Sequence, residues 1–165
     1  MFLYGHHAMD NTPNGVLCHS WSSRSIANCW LNDQLIGEIG FNIAGAGEAG
    51  VPTVFVSGDL AAVEEARTYV PDIEGVVVKE GLSRTAALTL SPAKARDRIR
   101  DGARTAMSRI PEIASFTIPG PYTFVTEYQD SASADSKAAC PGVERVDTRT
   151  VRVTGDTIAE IAQQR

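Results

Sequence analysis

The sequence has few cysteines, no surplus of basic residues and no long apolar run. Its three cysteines, Cys18, Cys29 and Cys140, follow no Cys-x-x-Cys spacing, which argues against a disulfide framework and against a zinc finger. The 15 Lys and Arg against 20 Asp and Glu give a net charge of -5, so we expect no binding to nucleic acid. No apolar run approaches the roughly 20 residues that span a bilayer, so we expect no membrane partner. These absences favour a globular protein of the reducing cytoplasm.

The length and composition suit a protein with a substantial core. A chain of 165 residues with 43% hydrophobic and 21% charged residues is ordinary for a globular domain. The opening Met1-Phe2-Leu3-Tyr4 is too short for a signal peptide and lacks a basic lead. Because the chain starts directly in an apolar, strand-like run, we expect an internal fragment of a larger domain.

Strand-like and helical patterns alternate along residues 1–110. We predict strands over residues 1–5, 16–21, 26–31, 34–36, 53–57 and 73–78, and helices over residues 38–47, 60–69 and 92–107. Asp59 and Ser91 are the expected N-caps of the last two helices, and Pro92 takes the first helical position. Asn32-Asp33 is the expected hairpin turn. This alternation predicts an α/β fold with a mixed sheet flanked by helices.

The pattern changes beyond residue 110. Residues 122–128 alternate like a half-exposed strand, residues 131–139 are small and polar, residues 148–153 form a further strand, and Asp156 is the expected cap of a closing helix. We therefore predict two units, an α/β core over residues 1–110 and a smaller α+β lobe over residues 111–165.

All three histidines fall within the first 19 positions, and a carboxylate follows at Glu38. His6, His7 and His19 lie at the ends of predicted strands, where open α/β sheets place their sites. Imidazole and carboxylate are ligands that catalytic zinc prefers. His6 and His7 should point to opposite sides, so only one can bind a metal directly. The alternative is that these are polar loop residues with local hydrogen bonds.

Two other motifs carry less weight. The stretch Gly45–Gly50 matches G-x-G-x-x-G, but a helix precedes it and a strand follows, the reverse of a dinucleotide-binding turn. Small residues there indicate a closely packed helix end instead. Cys18 lies beside His19, and neighbours on a strand point to opposite faces, so Cys18 is expected to be a small core residue.

Seven strings, in this order and spacing, resemble the DppA-type D-aminopeptidases, a family of zinc-dependent peptidases. They are Gly5-His6-His7-Ala8, Gly15-Val16-Leu17-Cys18-His19-Ser20, Leu31-Asn32-Asp33, Gly37-Glu38-Ile39-Gly40-Phe41-Asn42, Val51-Pro52-Thr53-Val54-Phe55-Val56-Ser57-Gly58-Asp59, Val78-Lys79-Glu80-Gly81-Leu82-Ser83-Arg84 and Ser91-Pro92-Ala93-Lys94-Ala95. The resemblance extends over nearly the whole chain, more loosely in its last part.

The resemblance implies roles for three residues. His7 and Glu38 match zinc ligands of a two-zinc centre, and His19 matches the catalytic histidine. The implied reaction is release of an N-terminal D-residue from short peptides such as D-Ala-D-Ala. The implied assembly is a ring-like homo-oligomer, a decamer.

The chain departs from the family at its beginning. It has no counterpart of the family's Asp-x-Glu-Gly segment or of a further zinc-binding histidine, and catalytic zinc usually has three protein ligands. We therefore expect a fragment whose own activity is open. The alternatives are a non-catalytic ring-forming or peptide-binding remnant, and a hydrolase that uses His19 without metal. Asp59, Lys79 and Arg84 also match family positions, where structural roles explain them equally well.

Overall fold

Nine β-strands and five α-helices make up the computed structural model, which describes residues 1–165. The strands are β1 (Phe2–His6), β2 (Ile26–Leu31), β3 (Gln34–Leu35), β4 (Phe55–Asp59), β5 (Glu74–Ser83), β6 (Ala86–Thr89), β7 (Tyr122–Tyr128), β8 (Glu144–Arg145) and β9 (Thr150–Gly155). The helices are α1 (Glu38–Glu48), α2 (Leu60–Tyr69), α3 (Pro92–Ser108), α4 (Ser131–Ala138) and α5 (Ile158–Gln164), with a 3-10 turn over Ile110–Glu112. None of the helices combines the length and apolar character needed to cross a membrane.

The first sheet has the strand order β1-β4-β5-β6. Its first three strands are parallel, and β6 returns antiparallel to β5. Every residue of β4 is buried, as expected for an inner parallel strand covered on both faces. Helices α2 and α3 pack against β4 and β5. The predicted mixed sheet flanked by helices is therefore confirmed.

The second sheet is wholly antiparallel, with the order β3-β2-β7-β9-β8. Its β2–β3 hairpin turns at Asn32 and Asp33, whose φ angles of 48° and 65° are those of a two-residue turn in the left-handed region. Along β7 every second residue is buried, which gives the sheet one core face. The hairpin and the alternating strand are as predicted.

An aromatic cluster joins helix α1 to the second sheet. The ring of Phe41 lies 5.5 Å from that of Phe124, and Trp21 lies 5.6 Å from each, with all three pairs edge to face. This geometry favours aromatic pairs beyond simple burial. A continuous core of 26 buried residues includes side chains of both sheets. The sheets therefore share one core.

Two predicted helix caps are confirmed and one is wrong. The Asp59 carboxylate accepts the Ala62 N–H at 3.2 Å, and the Ser91 hydroxyl accepts the Lys94 N–H at 3.4 Å. The closing helix is capped by Thr157, whose hydroxyl accepts the Glu160 N–H at 3.1 Å, and not by Asp156. The helix starts one residue later than predicted because Thr157 and Glu160 form the cap together.

The predicted strand over residues 16–21 is wrong. These residues belong to an irregular segment, residues 7–25, that we call the histidine loop. Leu17 and Trp21 both have φ of 54°, which an extended strand cannot accommodate. Hydrogen bonds to distant parts of the chain take the place of strand pairing there. The strands predicted over residues 53–57, 73–78 and 148–153 exist with bounds shifted toward their carboxyl ends.

The second sheet draws strands from both sides of residue 110, since β2 and β3 pair with β7. The proposed division into residues 1–110 and 111–165 therefore does not coincide with a boundary between the sheets. It remains a prediction about how the domain is organised.

Candidate metal and catalytic site

The histidines lie at the edge of the first sheet where the parallel strands end. His6 is the last residue of β1, and His7 follows it. Strand β4 ends beside them at Asp59, in register with Lys79 of β5. Ligand sites of open α/β sheets lie outside the carboxyl ends of the strands, so this edge is the expected place for a site.

Two segments bring the predicted site residues together, the histidine loop with His7 and His19 and the start of α1 with Glu38. The rings of His7 and His19 are 5.4 Å apart between centroids, tilted by 54°. The Nε2 atom of His19 lies 3.5 Å from Oε2 of Glu38. About a quarter of each of the His19 and Glu38 side chains is exposed. Solvent can therefore reach these two side chains, although most of their surface packs against the protein.

Glu38 occupies the first turn of α1. Its N-cap, Gly37, provides no side-chain acceptor, so the first backbone N–H groups of the helix have no cap partner. A carboxylate at this end interacts favourably with the helix dipole. The start of α1 therefore places the Glu38 side chain opposite His19.

The backbone of the histidine loop orients the His19 ring. The Leu17 carbonyl lies 2.8 Å from Nδ1 of His19. Since a carbonyl only accepts, Nδ1 must carry the hydrogen and donate it. In the neutral ring Nε2 then carries no hydrogen and has a free lone pair. Sequence patterns did not reveal this partner, because it depends on the left-handed conformation of Leu17.

Two further contacts fix the same loop. The His19 N–H donates to the Ala8 carbonyl at 3.1 Å, and the Leu17 N–H donates to the Arg84 carbonyl at 2.8 Å. Arg84 thus contributes through its backbone, from the turn between β5 and β6. This is a structural role of the kind expected for that position.

Burial lowers the pKa of His7, and the nearby His19 and Lys79 lower it further. The pKa of His6 is also lowered, mainly by burial and against an opposing effect of Glu38. A lowered pKa favours the neutral imidazole, which is the form that binds metal ions. The environment thus keeps His7 in the state that a ligand requires.

One carboxylate near the site, Glu65 of α2, was not among the residues predicted from the sequence. It lies on the buried face with Ala62, Ala66 and Tyr69, and its exposed fraction is 7%. Burial raises its pKa to about 7, against a backbone hydrogen bond from Met9. A glutamate among apolar residues at helical spacing was the signal that could have identified it.

The cysteines take no part in this cluster. All three are free, and Cys18 is buried with 6% of its surface exposed, as expected for a core residue. Burial raises the pKa of Cys29 to about 12, so its thiol remains protonated near neutral pH and is a poor nucleophile.

The donor set fits a zinc centre only in part. His7 and Glu38 offer the imidazole and carboxylate that zinc binds. However, no group of three or more His, Cys, Asp and Glu side chains in the chain is arranged to hold a metal ion. The residues present therefore have the chemistry of zinc ligands, but they are fewer than the three protein ligands that a catalytic zinc usually has.

These features define an α/β protein with a histidine–carboxylate site at the carboxyl edge of a parallel sheet. A family model described as D-aminopeptidase matches residues 1–164, and the chain belongs to this family. The D-aminopeptidase of Bacillus subtilis (strain 168) is 32% identical over 164 residues, which cover 99% of this chain and 59% of that protein.

A solved structure shows the same fold. It is the Zn-dependent D-aminopeptidase DppA from Bacillus subtilis, described as a self-compartmentalizing protease. The similarity has a TM-score of 0.92 at 30% identity and covers 99% of this chain. The chain spans 59% of the length of that structure.

Proposed function

We propose that the chain is part of a zinc-dependent aminopeptidase that releases N-terminal D-amino acids from short peptides of the D-Ala-D-Ala type. The observation that carries the proposal is the meeting of His7 and His19 of the histidine loop with Glu38 of α1, at the carboxyl edge of the sheet of a D-aminopeptidase family member. The solved relative is described as Zn-dependent, which agrees with the imidazole and carboxylate donors.

In this proposal His7 and Glu38 are metal ligands. Burial lowers the pKa of His7 and so favours the neutral imidazole that ligation needs, and Glu38 lies opposite His19 in the first turn of α1. A catalytic zinc usually has three protein ligands, so further donors would come from outside residues 1–165. When bound, zinc supplies Lewis acidity toward a peptide carbonyl.

His19 is the proposed catalytic residue. With Nδ1–H held by the Leu17 carbonyl, Nε2 can take a proton from an attacking water as a general base. The water oxygen bonds to the peptide carbonyl carbon, and the C–N bond then breaks. The proton on Nε2 passes to the leaving amine, which restores the neutral ring. Direct attack by Nε2 on the carbonyl is the other role open to this nitrogen.

The test is release of D-alanine from D-Ala-D-Ala by the full-length gene product, with zinc and after chelation. We expect release that depends on zinc, and a loss of roughly 10²- to 10⁴-fold in kcat for His19→Ala with zinc content unchanged. Glu38→Gln should lower zinc content as well, whereas Glu80→Gln, at an exposed carboxylate of β5, should alter neither. Absence of metal-dependent release would refute the assignment, and chelator-resistant release would favour a metal-free hydrolase.

A second candidate is a non-catalytic remnant that forms rings or binds peptides. The limited donor set favours it, since His7 and Glu38 are two expected ligands where a catalytic zinc usually has three. Near-stoichiometric zinc in the purified chain would contradict it.

We propose self-assembly in either case, because the solved relative is described as self-compartmentalizing. The family resemblance suggests a decameric ring, and light scattering would give the subunit number.

A further inference from the structure

Three buried side chains of β4 and α2 accept hydrogen bonds from the chain around the histidines. The Ser57 hydroxyl accepts the Gly5 N–H at 3.2 Å. A carboxylate oxygen of Asp59 accepts the Val16 N–H at 2.7 Å, and Oε2 of Glu65 accepts the Met9 N–H at 2.7 Å. Buried polar groups rarely persist without such partners. These acceptors therefore attach the histidine-bearing segments to the rigid centre of the fold.

Glu65 differs from the other two because it lies between two parts of the site. Met9, which it binds, is two residues beyond His7. Its other oxygen, Oε1, has no hydrogen-bond partner and is fully buried. A β-carbon added at Gly37 would lie 2.9 Å from this Oε1 and 2.6 Å from Cβ of Met9. The carboxyl group thus lies between Met9 and the residue that precedes Glu38.

We infer that Glu65 is a positioning residue that sets the distance between the His7 segment and the start of α1 that carries Glu38. The inference rests on the proposed function for the chemical meaning of that distance. The contact itself is a feature of this chain whether or not the chain binds zinc.

The packing explains why a carboxyl group is suited to this position. Gly37 has no side chain, so the carboxyl oxygen approaches the backbone before Glu38 directly. An apolar side chain of similar size would leave the Met9 N–H without a partner in a part-buried setting, so that segment would shift to find one. His7 would then move relative to Glu38, with no change in either ligand.

The experiment compares three variants of the full-length protein. Glu65→Met keeps the volume and removes the acceptor, Glu65→Gln keeps an acceptor oxygen for the Met9 N–H, and Glu64→Met is the matched control at the exposed neighbouring position. For Glu65→Met we expect about tenfold weaker zinc binding and a similar fall in kcat at nearly constant KM. Glu65→Gln should restore both to within about threefold, and Glu64→Met should match the parent protein.

A readout independent of activity comes from NMR of the metal-free chain. The Met9 amide should exchange slowly with solvent in the parent protein and about a hundredfold faster in Glu65→Met, and the ¹⁵N shifts of the His7 ring should change. Fast exchange of Met9 in the parent protein overturns the inference even where Glu65→Met fails to fold. A folded Glu65→Met with unchanged His7 shifts and zinc affinity also overturns it. A parent protein without zinc binding or peptidase activity refutes the proposed function instead, and the NMR result still decides the role of Glu65.

Discussion

Glu65 is held in an environment where ionisation is unfavourable. Its carboxyl group is buried among apolar residues of α2 and makes no ion pair, so desolvation raises its pKa to about 7 from a usual 4.5. Between these two pH values the folded protein holds a proton that the unfolded chain has released. Stability linked to this group is therefore complete below about pH 4.5 and decreases as pH rises to about 7.

We expect the pH dependence of unfolding to reveal this proton. Between about pH 5 and pH 8, the metal-free parent protein should lose roughly 2 to 3 kcal/mol of unfolding free energy relative to Glu65→Gln. Urea titrations of both proteins at each pH give the difference. The histidines with lowered pKa are common to both proteins, so their effect cancels. Parallel stability profiles would show that Glu65 titrates normally.

For individual residues, the sequence identified the candidates for the site but not the contacts that hold them. The positions of His7, His19 and Glu38 at the ends of predicted elements, with the family resemblance, marked a site. The Leu17 carbonyl that orients His19 and the Glu65 carboxyl group beside Gly37 were not predictable. The first contact depends on the left-handed backbone of Leu17, and the second joins residues that are far apart in the sequence.

Among the helices and strands, α1 shows how a residue without a side chain allows close packing against a neighbouring segment. Gly45 and Gly47 do not form a nucleotide-binding turn but lie inside the helix near its end. A β-carbon on Gly47 would lie 1.6 Å from the carbonyl oxygen of Phe116. The same addition on Gly45 would meet only the Ile158 side chain, at 3.4 Å.

Substitution at these two glycines should have opposite effects. Gly47→Ala forces the backbone at Phe116 away from α1, and we expect a loss of about 2 kcal/mol or more in unfolding free energy. Gly45→Ala should be neutral or stabilise by up to about 1 kcal/mol, because alanine is the better helix former. Urea denaturation of the pair measures both. Equal effects would mean that α1 does not contact Phe116 as described.

Elements with a local signal were predicted well. Asp59, Ser91 and Asn32-Asp33 marked their caps and turn because the responsible hydrogen bonds or φ angles lie within a few residues. The strand expected over residues 16–21 failed because apolar content alone suggested it. The conformation there is set by distant partners, Asp59 for Val16 and Arg84 for Leu17.

In the whole molecule, the two sheets are joined by one hydrophobic core. The cluster of 26 residues extends from Leu3 in β1 to Ile161 in α5, and Trp21, Phe41 and Phe124 lie where α1 meets the second sheet. The second sheet also combines strands from both ends of the sequence. Neither sheet can lose its packing without exposing part of the other.

We therefore expect the chain to unfold in a single cooperative transition. Tryptophan fluorescence, which reports on Trp21 at the aromatic cluster and on Trp30 of β2, and far-ultraviolet circular dichroism should give coincident urea curves. Phe124→Ala should shift both curves together, with a loss of about 3 to 5 kcal/mol. Separate transitions would instead support independent units over residues 1–110 and 111–165.

The sequence by itself determined the alternation of strands and helices, the main caps and the candidate site residues. These follow from local periodicity, from turn and cap chemistry, and from the resemblance to the D-aminopeptidases. Only the tertiary structure decided that β2 and β3 pair with β7, that the histidine loop is irregular, and that Glu65 lies between the segments of His7 and Glu38. Those arrangements depend on contacts between residues far apart in the sequence, for example Val16 with Asp59 and Asn28 with Glu127. Such contacts leave no periodic trace in the sequence.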